Sequence, residues 1–190
     1  MDTIIYITLA LITLVFIYGI MLYNSLVDVK HTVSQAWSNI DILLKQRHEE
    51  LPKLVETCKQ FMGFEQETLK QVIAARSQVA TAREAGNIGA LGSAENVLRT
   101  GLGNLFAVAE DYPELKASEK FQHLQVRITG LENSIADRRE YYNEAVRINN
   151  VRIEQFPDVI IAHWFKFKPR DLLEFSDAEK QDVNIGKLFG

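Results

Sequence analysis

The stretch AWSNIDILLKQRHEELPKLV, residues 36–55, decides how the chain reads. Its apolar residues recur every three or four positions, the period of one helix face. Asp41, Arg47 and Pro52 interrupt that period where a plain bundle helix would carry more leucine. Outward from it, Leu26, Val29 and Val33 extend the stripe on one side and Cys58, Met62, Leu69, Val72 and Val79 on the other. The pattern predicts one helix over residues 24–83, which would reach ~90 Å if unbroken. Pro52 lacks an amide hydrogen and crowds the preceding turn, so a kink is expected there. Asp41 with Lys45, and Glu49 with Lys53, have the spacing of helical ion pairs.

Towards the N-terminus the pattern changes. IIYITLALITLVFIYGIMLY, residues 4–23, carries no charge. Twenty residues at ~1.5 Å each match the ~30 Å hydrocarbon core of a bilayer. Thr8 and Thr13 are compatible with lipid because a threonine hydroxyl can bond back to its own helix. A cleaved leader would open on basic residues and close on a small-residue cleavage site. Met-Asp-Thr and Met21-Leu22-Tyr23-Asn24 supply neither, so an uncleaved anchor is expected. Lys30 is the first basic residue after the span and none precedes it. That imbalance favours a translocated N-terminus and a cytoplasmic bulk.

Beyond residue 83, EAGNIGALGS (84–93) is glycine-rich and reads as a connection between helices. It lacks the lysine and following hydroxyl of a phosphate-binding loop. A second helix is expected over 94–110, with Asp111-Tyr112-Pro113 ending it. A third runs over 118–155 on Phe121, Leu124, Ile128, Leu131, Ile135, Tyr142, Val146, Asn149 and Ile153, with Ser118 at its start. Phe156-Pro157 closes it. DVIIAHWFKF (158–167) is apolar but too short to span a bilayer; it could cap the bundle or lie at an interface. The fold class is therefore all-α: an antiparallel long-helix bundle with an N-terminal single-pass transmembrane helix. The expected organisation is an anchor at 1–23, a bundle at 24–175 and a tail at 176–190 without a convincing period.

Composition excludes several function classes. A net charge of −4 and no run of basic residues argue against nucleic acid as a partner. Cys58 is the only cysteine, so it reads as a small buried hydrophobe. His31, His48, His123 and His163 do not have zinc-ligand spacing, no glutamate is followed three residues later by histidine, and no serine sits in a G-x-S-x-G elbow. No catalytic residue, metal ligand or cofactor site is expected, and an enzyme is disfavoured. The polar residues in or beside the stripes are Arg47, Glu65, Arg76, Glu132, Arg138, Arg139, Asn143, Asn149 and Asn150. Three readings stay open for them: stripe edges with heads in water, charge pairs between helices, or a partner-binding face. Trp37, Tyr112 and Tyr142 read first as core aromatics and second as contact anchors.

Several ordered motifs together resemble the LemA family. They are YNSLV (23–27), AWSNID (36–41), RHEELPKLVE (47–56), AARSQ (74–78), AEDYPELKA (109–117), LENSIADRREYYNEAV (131–146) and FP (156–157), behind an N-terminal anchor. The motif positions that stand as interface candidates are Trp37, Asp41, Arg47, Pro52, Glu65, Arg76, Tyr112, Pro113, Glu132, Arg139, Tyr142, Asn143 and Asn150. Departures fall at Lys30, Lys53, Phe64 and Asn149, where the family commonly has arginine, asparagine, histidine and tyrosine. The resemblance implies a single-pass protein of the bacterial inner membrane with a helical domain and no established catalytic position. Its members resemble accessory or scaffold proteins, with links to membrane quality-control proteases. The expected function is a scaffold that self-associates into a homo-oligomer. The alternatives are an adaptor of a membrane protease and a coat that contacts the lipid bilayer through segment 158–167.

Overall fold

A computed structural model describes residues 2–63 and 65–175 of the chain; Phe64 and the expected tail lie outside the described residues. Among the described residues all regular structure is helical: α1 (Asp2–Phe61), α2 (Gln66–Glu84), α3 (Ile88–Ala109), α4 (Pro113–Lys116), α5 (Glu119–Glu154) and α6 (Asp158–Trp164). They form two compact units. Among the described residues, the first contains 2–38 together with Glu140–Arg170, and the second contains 39–63, 65–139 and 171–175. Both draw on α1 and α5.

The expected helix over 24–83 is two helices, and the break is not at the proline. The sequence over 4–23 is continuous with α1, which passes through Pro52 and ends at Phe61. The turn comes at Met62 and Gly63, where glycine weakens helix propensity. The chain then reverses and α2 packs back along α1. The glycine-rich stretch is also shorter as a loop than expected. α2 ends at Glu84, Gly86 adopts a left-handed φ of +64°, and α3 starts at Ile88. Asn87 caps α3, its Oδ1 accepting the Ala90 N–H at 2.9 Å. Residues 88–93 are thus helical, because a cap and one left-handed glycine are enough to turn the chain.

In the second unit, contacts between α1 and its neighbours run in opposite sequence directions. Asp41 faces Arg83 and His48 faces Arg76, while Arg47 meets Glu132 and Glu50 meets Arg127. Both pairings are antiparallel. The core is built from Ile40, Leu44, Leu51, Leu54 and Cys58 of α1, Val72 and Val79 of α2, Leu98, Leu102 and Leu105 of α3, and Ile128 and Ile135 of α5. Burying a leucine of this kind contributes about 2 kcal/mol. At Gly92 a Cβ would lie 1.9 Å from the Glu174 carbonyl oxygen, so glycine admits the segment carrying buried Leu173 and Phe175.

The first unit pairs α1 with α5 in the same antiparallel sense: Ser25 with Arg152, and Trp37 with Tyr142. Leu26, Ile153 and Ala162 form a small core closed by Ile161 and Phe167. Arg152 ties three helices, donating to Ser25 Oγ at 3.0 Å and to Asp158 at the head of α6.

Candidate functional site

The interruptions in the opening stretch each have a structural partner. Arg47 is 3% exposed, and its Nη2 donates to both carboxylate oxygens of Glu95 at 2.5 Å. Glu95 is 2% exposed. Nη1 lies 3.5 Å from Oε1 of half-buried Glu132. That oxygen has no hydrogen-bond partner, so Glu132 is held by charge alone on this side. Burial pushes the Glu132 carboxyl above the usual range, Arg47 and Arg99 pull it down, and Glu95 pushes it further up. For Arg47 the reading of paired charges between helices therefore prevails over a solvated edge. The cluster links α1, α3 and α5, and buried ion pairs of this kind add little net stability.

Asp41 bonds Lys45 at 2.6 Å and faces Arg83 of α2 at 3.7 Å. Lys53 reaches Glu50 at 3.2 Å rather than the expected Glu49. Glu50 is buried and also accepts from Arg127 at 2.9 Å, whereas Glu49 points to solvent. A buried carboxylate draws cations more strongly than an exposed one.

Pro52 and Arg76 act on one carbonyl. Proline cannot donate to the His48 carbonyl four residues earlier. Arg76 Nε donates to that oxygen instead, at 3.0 Å, and its Nη2 lies 2.7 Å from His48 Nε2. Guanidinium can only donate, so His48 Nε2 accepts and the imidazole is neutral with its proton on Nδ1. Burial and then Arg76 and Arg83 hold the His48 pKa below its usual value, against Glu84 and Glu49. α1 thus continues past its proline because a side chain of α2 replaces the missing bond.

The remaining candidates fall into small groups. Glu65 carries its charge beside the phenol of Tyr112, which precedes Pro113 at the first position of α4. Desolvation, Glu65 and Asp111 push the Tyr112 phenol up. Arg139 lies over the Phe175 ring at 4.3 Å, while neighbouring Arg138 is exposed. Trp37 and Tyr142 form a tilted pair at 5.7 Å; Asn143 follows Tyr142, half-buried on α5. Asn150 clasps the backbone of Arg170, donating to its carbonyl and accepting its N–H, both at 2.9 Å. Asn149 Nδ2 donates to the Lys168 carbonyl at 3.4 Å.

Sequence reasoning passed over Glu95, although a signal existed. Glu95 falls in the α3 stripe four residues after Leu91 and three before Leu98, both fully buried. Cys58 is also fully buried, and burial pushes its thiol up to about 12. No group of three or more histidine, cysteine, aspartate or glutamate side chains is placed to hold a metal ion among the described residues.

The LemA family profile matches residues 36–186, most of the chain. The chain belongs to the LemA family. Two relatives, magnetosome proteins MamQ 2 and MamQ 1 of Paramagnetospirillum magneticum, are each 23% identical over 193 aligned positions, covering 90% of this chain and 71% of the relative. Magnetosome protein MamQ of Magnetospirillum gryphiswaldense is 22% identical over the same spans. As a LemA-family member the chain is a non-enzymatic, membrane-associated bacterial helical protein. The buried charge cluster is accordingly part of the architecture of the helical domain.

Proposed function

We propose that the protein is a single-pass scaffold of the bacterial inner membrane, anchored by residues 1–23, whose helical domain at 24–175 associates with further copies of itself. The observation that carries this reading is the start of α1. Residues 4–23 are uncharged, and every side chain from 2 to 18 is exposed. A helix of this length and composition is long enough to cross a bilayer. The two threonines within residues 4–23 are self-satisfied: Thr8 donates to the Ile4 and Ile5 carbonyls and Thr13 to that of Leu9. Lys30 follows the span and no basic residue precedes it, which supports a translocated N-terminus and a cytoplasmic domain.

Self-association is supported by uncovered apolar side chains on α5. Tyr141, Ile148 and Val151, each about half exposed, flank the exposed Glu144 on one helix face, away from buried Tyr142, Val146 and Ile153. Tethering in a membrane raises the effective concentration of copies, which favours such contacts. Two experiments on the full-length protein test the reading. Alkaline extraction of membranes should leave the protein in the pellet, and its release would contradict the anchor. Oxidative crosslinking of Ile148→Cys in native membranes should give a dimer of the chain. A crosslink to a protease subunit instead would replace self-association with the adaptor reading, and no crosslink would remove this face as an interface.

A further inference from the structure

We propose that the first unit holds a site for one anionic phospholipid, with an acyl chain in an apolar groove and the headgroup in a basic pocket beside it. The proposal rests on the membrane-anchored reading above. The groove has a volume of about 530 Å³ and lies between the last turns of the uncharged part of α1 and helix α6. Phe16 and Ile20 line one wall, Ile160 and Trp164 the other. Trp164 is 79% exposed and Phe165 more than half exposed. Two adjacent aromatics facing outward beside a bilayer-length apolar helix fit the membrane interface, where tryptophan is favoured.

The second concavity shares Tyr23 and Phe165 with the first, so the two are contiguous. It has a volume of about 360 Å³ and is lined by Lys30, Lys166, Lys168 and Arg170, with no acidic side chain among its lining residues. Four cations in one pocket stand out in a chain whose net charge is −4. Lys30 lies seven residues beyond Tyr23, about 10 Å along α1, at the depth of lipid headgroups rather than in bulk water. Tyr23 packs tilted against Phe165 at 4.6 Å and edge-on against Phe167 at 6.0 Å, forming the ridge between groove and pocket.

Two further features indicate a built site. The basic segment is preorganised, because Asn150 clasps Arg170 and Asn149 holds the Lys168 carbonyl. Lys166 has φ +56°, a left-handed conformation that glycine would adopt without strain. The chain keeps a charged side chain at a position where the backbone alone favours glycine. Continuity of the groove with the anchor selects a bilayer lipid over a soluble anion, and the cations select an anionic headgroup.

The test is native mass spectrometry of full-length protein in mild detergent, offered equimolar phosphatidylglycerol and phosphatidylcholine. Retention of phosphatidylglycerol should exceed that of phosphatidylcholine about tenfold or more, and millimolar inorganic phosphate should not displace it. Removing two charges in K30Q/K168Q should lower phosphatidylglycerol retention about 25-fold, at roughly fivefold per cation. Lys166→Gly should raise the melting temperature while lowering phosphatidylglycerol retention, a split that a folding defect cannot produce. Trp164→Ser should lower retention of both lipids alike. Equal retention of the two lipids, displacement by phosphate, or indifference to the lysine variants would overturn the proposal. A protein that stays in the alkaline pellet yet shows any of these outcomes refutes the lipid site alone; one that leaves the pellet refutes the anchor.

Discussion

Arg76→Ala isolates the contact that lets α1 run through its proline. Pro52 forfeits the bond to the His48 carbonyl, and Arg76 Nε–H supplies a replacement at 3.0 Å. Truncation leaves that carbonyl unpaired within the packing of α1 on α2 and also removes the 2.7 Å contact to His48 Nε2. Loss of a hydrogen bond from a charged donor, with its acceptor left unsatisfied, costs about 1.5–3 kcal/mol. Pro52→Ala restores a backbone N–H at the residue that should have donated. In that background Arg76→Ala should therefore cost about 1–2 kcal/mol less, a coupling within the range for residues sharing one partner. Urea unfolding of the full-length protein and the three variants, followed by far-UV circular dichroism, measures the cycle. Equal costs of Arg76→Ala in both backgrounds, to within about 0.5 kcal/mol, would refute the replacement of a backbone bond by a side chain.

Other groups give sharper contrasts. Glu95→Gln leaves the Arg47 charge buried without its counter-ion and should destabilise by about 3–5 kcal/mol in the same unfolding assay; a cost below about 1 kcal/mol would show that the pair is not buried as described. Glu132→Gln should behave oppositely. The folded Glu132 carboxyl titrates above its ordinary value of 4.5, so its contribution to stability is full below that value and is lost as pH rises through the folded pKa. The variant should be neutral or more stable than wild type at neutral pH and should flatten the fall in stability above pH 4.5. With its thiol pushed up to about 12, Cys58 should stay unlabelled by a maleimide in the folded protein at mildly alkaline pH and react on unfolding. Rapid labelling without unfolding would contradict its burial.

The hydrophobic stripes were legible because period-three-four patterning is a local property. Phe121, Ile128, Ile135, Val146 and Ile153 were all read from spacing, and all are buried. The break in the first predicted helix was not legible. Pro52 carries the stronger local signal, but its missing bond is replaced by Arg76 from another helix, whereas Gly63 ends α1 with a weaker one. Glu49 and Glu50 were equally good partners for Lys53 by spacing, and only burial separates them. Arg47 could be seen as out of place, yet its partners Glu95 and Glu132 lie far along the chain, and Glu95 is visible only when a charged slot in the α3 stripe is taken seriously. The basic pocket was hidden for the same reason, since Lys30 and the 166–170 segment meet only after folding.

Association of the membrane-anchored chain with its own copies sets the mass of the full-length protein in mild detergent. Light scattering with the detergent contribution subtracted gives that mass at micromolar concentration. A discrete multiple of the chain mass is expected, reduced when Tyr141 and Ile148 are both replaced by glutamate. A monomer across the concentration range would contradict self-association and leave that face of α5 for a different protein.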